Sequence, residues 1–306
     1  MSDSSIIKNN NKNKVFISDT KCAPNKKYKE KSCFSIDDLK QIAYSYNKLH
    51  GNEIKITNNK RHLLEQLIKK IKTKYGCVNQ LCWLKIDIVK NLNNKSINNY
   101  TFRPKGPKNK FDWLSTRDID NVIYQYEKKY KSLKYLGTVP YDFESLTDLS
   151  IKNIDFNQLI NSGKHKIGMV INLDYHYQSG SHWVALYADL LKKQVYFFDS
   201  FAKKPQKRIK NFITKIVKFI YKYHFNEELN IISIFDNNIN SYIKKKIKKI
   251  DIRYNTKQHQ FNDSECGVYS INFIIRLAGG ETFDYITNNI TKDDEMNKCR
   301  QVYFHN

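Results

Sequence analysis

The 306 residues carry 53 lysines and arginines against 30 aspartates and glutamates, a formal charge of +23, with 40% hydrophobic and 13% aromatic residues. That is ample apolar mass for a core, and the scarcity of glycine (10) and proline (5) excludes a low-complexity chain. No stretch approaches the ~18 apolar residues of a membrane span, and residues 1–14 lack the apolar run of a secretory leader, so an intracellular protein is expected.

Residues 1–31, rich in Lys, Asn and Ser, read as a disordered basic tail. Ser35 with Asp38 three positions on opens a helix pattern carried by Leu39, Ile42, Ala43, Tyr46 and Leu49. A second follows at Leu63, Leu64, Leu67, Ile68 and Ile71, and a third spans 81–92, so residues 32–100 form an N-terminal helical region. Residues 93–110 read as a polar connection around Pro104-Lys105-Gly106-Pro107, and the main domain is assigned to 101–306. Its first helix carries Ile119, Val122, Ile123 and Tyr126, and 141–160 is helical or irregular.

The pattern then turns to strands. The runs 167–173, 183–188 and 194–199 read as buried strands, the last two paired as a hairpin through the short connection 189–193. An amphipathic helix over 209–223, strand candidates at 230–235 and 250–254, and an apolar helix 267–278 closed by Gly279-Gly280 complete an α+β chain. The six cysteines (Cys22, Cys33, Cys77, Cys82, Cys266 and Cys299) show no zinc spacing, because no His or Cys pair matches Cys77 and Cys82; a reducing setting fits them.

Thiol catalysis needs an ionised sulfur, an imidazole in reach, a group to orient that imidazole, and donors for the developing oxyanion. Cys266 stands between a polar loop and an apolar helix, where the backbone dipole favours a thiolate; Asp263 and Glu265 oppose it, so an ion pair with His182 must dominate. His182 starts one strand of the hairpin and Asp199 ends the other, which makes them neighbours across the rim of the sheet. Gln260, on the loop leading to Cys266, offers a neutral amide to the oxyanion beside the Cys266 backbone N–H, and Gly267 leaves room for a substrate.

His182-Trp183, the strand end Phe198-Asp199, and the segment from Gln260 to Cys266-Gly267 together resemble the adenain-type cysteine proteases that process ubiquitin-like proteins and viral polyproteins. The spacings fit the SUMO-deconjugating branch over roughly residues 110–280, and the basic N-terminal region suggests the large-DNA-virus branch, of the mimivirus thiol protease kind. The resemblance implies a papain-like, adenain-like core with a central mixed sheet flanked by helices. It also implies that Trp113 and Trp183 wall a slot that admits only residues lacking a Cβ, hence Gly-Gly before the cut. One departure is Glu265, where the family pattern has Asp.

The reading is a cysteine endopeptidase, with Cys266, His182, Asp199 and Gln260 catalytic and Trp113, Trp183 and Gly267 binding substrate. It cuts viral structural precursors after Gly-Gly-like sites, needs no metal or organic cofactor, and works as a monomer in the virion and the host-cell cytoplasm. A deconjugase for a host ubiquitin-like modifier is the alternative; acetyl transfer on the same fold and non-enzymatic nucleic-acid packaging are the more distant rivals. The basic stretches, with Lys203, Lys204, Lys207, Arg208, Lys210, Lys244, Lys245 and Lys246, offer a nucleic-acid contact or simply a solvated face.

Overall fold

The computed structural model describes residues 21–305, which divide into two compact units: 21–106 with 301–305, and 107–300. Most of the expected tail, residues 1–20, lies outside the described residues. Residues 21–31 of it are placed: Cys22 bridges to Phe102, and Ala23 N–H donates to the Thr101 carbonyl at 3.0 Å. The division falls at Gly106/Pro107, within the expected polar connection, and His305 returns to the helical unit by donating its backbone N–H to the Pro104 carbonyl at 3.0 Å.

In the helical unit, α1 (Ile36–His50) begins at a capping box of Ser35 and Asp38, and α2 (Lys60–Tyr75) is capped by Asn59 and closed by Gly76 in the left-handed conformation. Leu39, Ile42, Leu63, Leu67 and Ile71 build the core with Trp83, and Phe34 stacks on Trp83 at 5.7 Å. Leu49, expected inside, is exposed. The single helix expected over 81–92 is instead two short helices, α3 (Gln80–Trp83) and α4 (Asp87–Lys90), because Ile86 is extended between them. The connection 93–110 also holds α5 (Lys95–Tyr100), capped by Asn94. Disulfides join Cys22 to Cys33 and Cys77 to Cys82. Their spacings carried no signature of pairing, and the oxidised thiols do not fit the reducing setting read from the sequence.

In the other unit, α6 (Thr116–Lys129) starts at a second capping box, Ser115 with Asp118. Strand β1 (Leu133–Val139) was not anticipated; it precedes α7 (Phe156–Asn161), β2 (Lys166–Asn172), β3 (Trp183–Asp189) and β4 (Gln194–Phe198). Then come α8 (Lys207–Phe225), α9 (Ser241–Ile247), β5 (Asp251–Tyr254), α10 (Cys266–Ala278), α11 (Phe283–Asn288) and α12 (Asp293–Lys298). The strands form one five-stranded mixed sheet in the order β1-β2-β3-β4-β5: β1 runs parallel to β2, β5 parallel to β4, and β2-β3-β4 is antiparallel. The α+β class, with a mixed sheet between helices, is as expected.

One side of the sheet packs Ile167, Met169, Leu186 and Phe197 against Phe212, Ile216 and Ile220 of α8. On the other, Phe198 stacks on Phe273 of α10 at 4.8 Å. Gly168 permits this approach, since a Cβ there would meet Ile274 Cγ2 at 2.8 Å. The expected strand 230–235 does not form. Its backbone is bonded to α8 instead, Lys218 Nζ donating to the Ile231 carbonyl at 3.1 Å and Ile234 N–H to Thr214 Oγ1 at 3.3 Å.

Candidate active site

The β3–β4 hairpin sets the first two groups. Its last paired residues are Ala185 and Phe198, so His182 and Asp199 project just beyond the ladder at the same rim. His182 Nε2 and Asp199 Oδ1 are 2.8 Å apart, and both side chains are nearly buried. The same Oδ1 accepts the Phe201 N–H at 2.8 Å. Asn255, directly after β5, clamps Asp199 from behind: its Oδ1 accepts the Asp199 N–H at 3.0 Å and its Nδ2 donates to the Asp199 carbonyl at 2.7 Å.

Cys266 is the first residue of α10 and is a free, buried thiol, with a side-chain hydrogen bond to His182. Burial disfavours the charged ring, but the hydrogen bonds to Asp199 and Cys266 outweigh it and raise the His182 pKa to about 9. The imidazolium is therefore the resting form at neutral pH.

Gln260 is fully buried. Its Oε1 accepts from Ser200 Oγ at 2.6 Å, and its Nε2 donates to the Asn262 carbonyl at 2.6 Å, which fixes the amide plane and leaves one further N–H. Next to Cys266, Glu265 is buried and accepts from Ser264 Oγ at 2.6 Å and Asn297 Nδ2 at 2.9 Å. Arg300 Nη2 donates to the Ser264 carbonyl at 2.8 Å. The longer Glu265 carboxylate is thus absorbed into a polar network that anchors the turn into α10.

Trp113 and Trp183 line one groove of about 560 Å³ with Leu114, Val139, Leu149 and His176. Trp113 is half exposed, whereas Trp183 is buried and donates its Nε1–H to the Leu114 carbonyl at 2.9 Å. Gly267 is also buried: a Cβ there would stand 3.1 Å from Leu114 Cβ and 3.3 Å from Trp183 Cδ1. The space beside Gly267 is filled by this packing, not left open as the sequence suggested; glycine lets α10 sit against the groove wall.

All four residues expected to be catalytic converge at the sheet rim, with Trp113, Trp183 and Gly267 beside them. Asn255, Ser200, Asn297 and Arg300 were not anticipated, because buried polar residues that act through backbone atoms carry no spacing pattern. The basic stretches are partly engaged: Arg208 Nη1 donates to Ser145 Oγ at 2.9 Å, the Lys210 ammonium lies over Phe235, and Lys246 pairs with Glu227. Lys203, Lys204, Lys207, Lys244 and Lys245 are exposed.

The family profile described as "Ulp1 protease family, C-terminal catalytic domain" matches residues 161–305. A protein of Acanthamoeba polyphaga mimivirus that bears the name of a thiol protease is 33% identical over 307 residues, covering 93% of this chain and 93% of its own. A SUMO-1 cysteine protease of African swine fever virus is 23% identical over 218 residues, 66% of this chain and 71% of its own. The crystal structure of the African swine fever virus protease superposes with a TM-score of 0.62 at 19% identity, over 95% of this chain and 97% of that one, a likeness of fold.

Proposed function

We propose, for a chain that belongs to the Ulp1 protease family and is a cysteine peptidase, that it cleaves viral structural precursors after Gly-Gly-like sequences through Cys266, His182, Asp199 and Gln260. The observation that carries this reading is the shared imidazole: His182 pairs with Asp199 through Nε2 at 2.8 Å and is also hydrogen-bonded to Cys266.

With its proton transferred to His182, the Cys266 sulfur attacks the scissile carbonyl, and the oxyanion is held by the Cys266 N–H and the remaining Gln260 Nε2–H. The tetrahedral intermediate collapses as the C–N bond breaks. His182 passes its proton to the departing amine and Asp199 keeps the ring oriented. Water gives a proton to the now neutral imidazole as its oxygen attacks the thioester carbonyl; the C–S bond breaks, the carboxylic acid departs, and the sulfur anion paired with the imidazolium is restored. Between Trp113 and Trp183 the acyl segment lies in a narrow slot, and glycines before the cut avoid a Cβ clash there.

A second reading, release of a host ubiquitin-like modifier, draws support from the African swine fever virus relatives, which carry the name SUMO-1 cysteine protease. The chemistry is the same and only the substrate differs. Incubating wild-type and Cys266→Ala protein with Gly-Gly-X peptides and with modifier-tagged fusions, and sequencing the new termini, tests both. Cleavage after Gly-Gly by the wild type alone supports the mechanism. Equal processing by both proteins would sink it, and turnover of fusions with no turnover of peptides would favour the second reading.

A further inference from the structure

The side of the cleft that receives the departing segment has a distinct chemistry. Asp199 ends β4 and the chain turns sharply: Ala202 N–H donates to the Asp199 carbonyl at 2.8 Å, and Ala202 has φ 58°, a left-handed conformation uncommon for a residue with a Cβ. The turn lays the Phe201 ring over His182, with centroids 4.8 Å apart. The Ser200 carbonyl accepts from both His259 N–H and Gln260 N–H, which ties this turn to the loop leading to the nucleophile. The Lys203 ammonium stands 5.8 Å from the Phe201 ring, and Lys203 and Lys204 are both exposed. No acid occurs from Ser200 to Asn226; the acidic side chain on the adjoining loop is the exposed Asp263. Phe261 on that loop is 73% exposed.

His182 must hand its proton to the leaving nitrogen, so the departing segment passes over His182, and the side chain covering His182 is Phe201. Phe201 does not line the groove of Trp113 and Trp183, so the two walls are separate. We infer that the turn Ser200–Lys204 is the leaving-side wall of the cleft, and that Phe201, Lys203 and Lys204 select an acidic segment after the scissile bond. The apolar ring supports the first residue of that segment, and the two ammonium groups pair with carboxylates one to three positions further on. This specificity rests on the mechanism proposed above and adds the preference on the far side of the cut.

The test is a peptide series with one acyl sequence ending in Gly-Gly, followed by segments bearing two Asp, two Ala or two Lys, beside the same acyl sequence on a fluorogenic amine. For wild type, kcat/KM for the Asp series should exceed that for the Lys series about 3- to 10-fold at low salt, as two exposed ion pairs allow, and the ratio should shrink at high salt. Lys203→Gln/Lys204→Gln should bring the ratio toward one, and Lys203→Glu/Lys204→Glu should invert it. Cleavage of every series at equal rates, or an unaltered ranking in the Glu variant, overturns the leaving-side assignment while leaving the mechanism standing. No turnover of any substrate, the fluorogenic amine included, overturns both.

Discussion

In the helical unit Cys22 is joined to Cys33 and Cys77 to Cys82, whereas in the sheet-bearing unit Cys266 and Cys299 are free thiols, both buried. The helical unit packs two helices of 15 and 16 residues with three of only one or two turns around a modest core, a size at which covalent staples replace missing hydrophobic area. The sheet-bearing unit has a five-stranded sheet with a large apolar cluster and can spare the staples. It also has a reason to: the Cys266 sulfur proposed as nucleophile could not act from within a disulfide. The difference reads as a division of labour, cross-links where stability is scarce and a free thiol where the chemistry is proposed.

Asp199→Asn cuts deepest into the catalytic side of that contrast. It should lower kcat by about 10²–10⁴-fold without unfolding the protein, read by peptide turnover beside circular dichroism. It should also move the pH profile. The raised His182 pKa of about 9 means the imidazolium persists to that pH, so activity that depends on it falls on the alkaline side. Removing the Asp199 charge lowers that pKa, and the alkaline limb should shift to lower pH; an unmoved limb would detach Asp199 from His182. The stability share has the same sign: the pairing of the charged ring contributes fully below its unfolded pKa of about 6.5 and is lost as pH rises through about 9.

Gln260→Ala should cost about 10²–10³-fold in kcat with KM little changed, if its amide meets the oxyanion. On the other side, Cys22→Ser/Cys33→Ser should cost about 2–3 kcal/mol in the helical unit, measured by hydrogen exchange over residues 21–106, with exchange in β2, β3 and α10 unaltered. Loss of protection in the sheet instead would break the comparison. The smallest expected effect is Ser35→Ala against Ser115→Ala, each removing a capping box for about 1 kcal/mol. The Ser115 change should be the better tolerated of the two, because α6 is also held by its packing on β1 and α10.

Elements with strong period were legible: α1, α2, α6, α8, α10 and the strands β2 to β4 follow from the spacing of apolar residues. β1 escaped because Lys134, Thr138 and Gly137, the last at φ 106°, dilute its apolar run, and its partner β2 lies some thirty positions away. The segment 230–235 read as a strand because Ile231, Ile232, Ile234 and Phe235 are apolar. Ile232 is instead almost wholly exposed, while the other three pack against the α8 side of the core.

Chain pattern alone determined that an imidazole and a carboxylate would meet at a hairpin rim, and that a cysteine would open an apolar helix, because both follow from local periodicity. Only the tertiary structure decided what holds them: Asn255 gripping the Asp199 backbone, Ser200 turning the Gln260 amide, Glu265 taken into a network with Asn297, and Leu114 and Trp183 closing over Gly267. These are contacts between residues far apart in sequence, and their partners are backbone atoms or buried polar groups. Burial makes each unmet hydrogen bond costly, so the fold must satisfy them, yet the residue that does so is chosen by three-dimensional proximity that no spacing rule encodes.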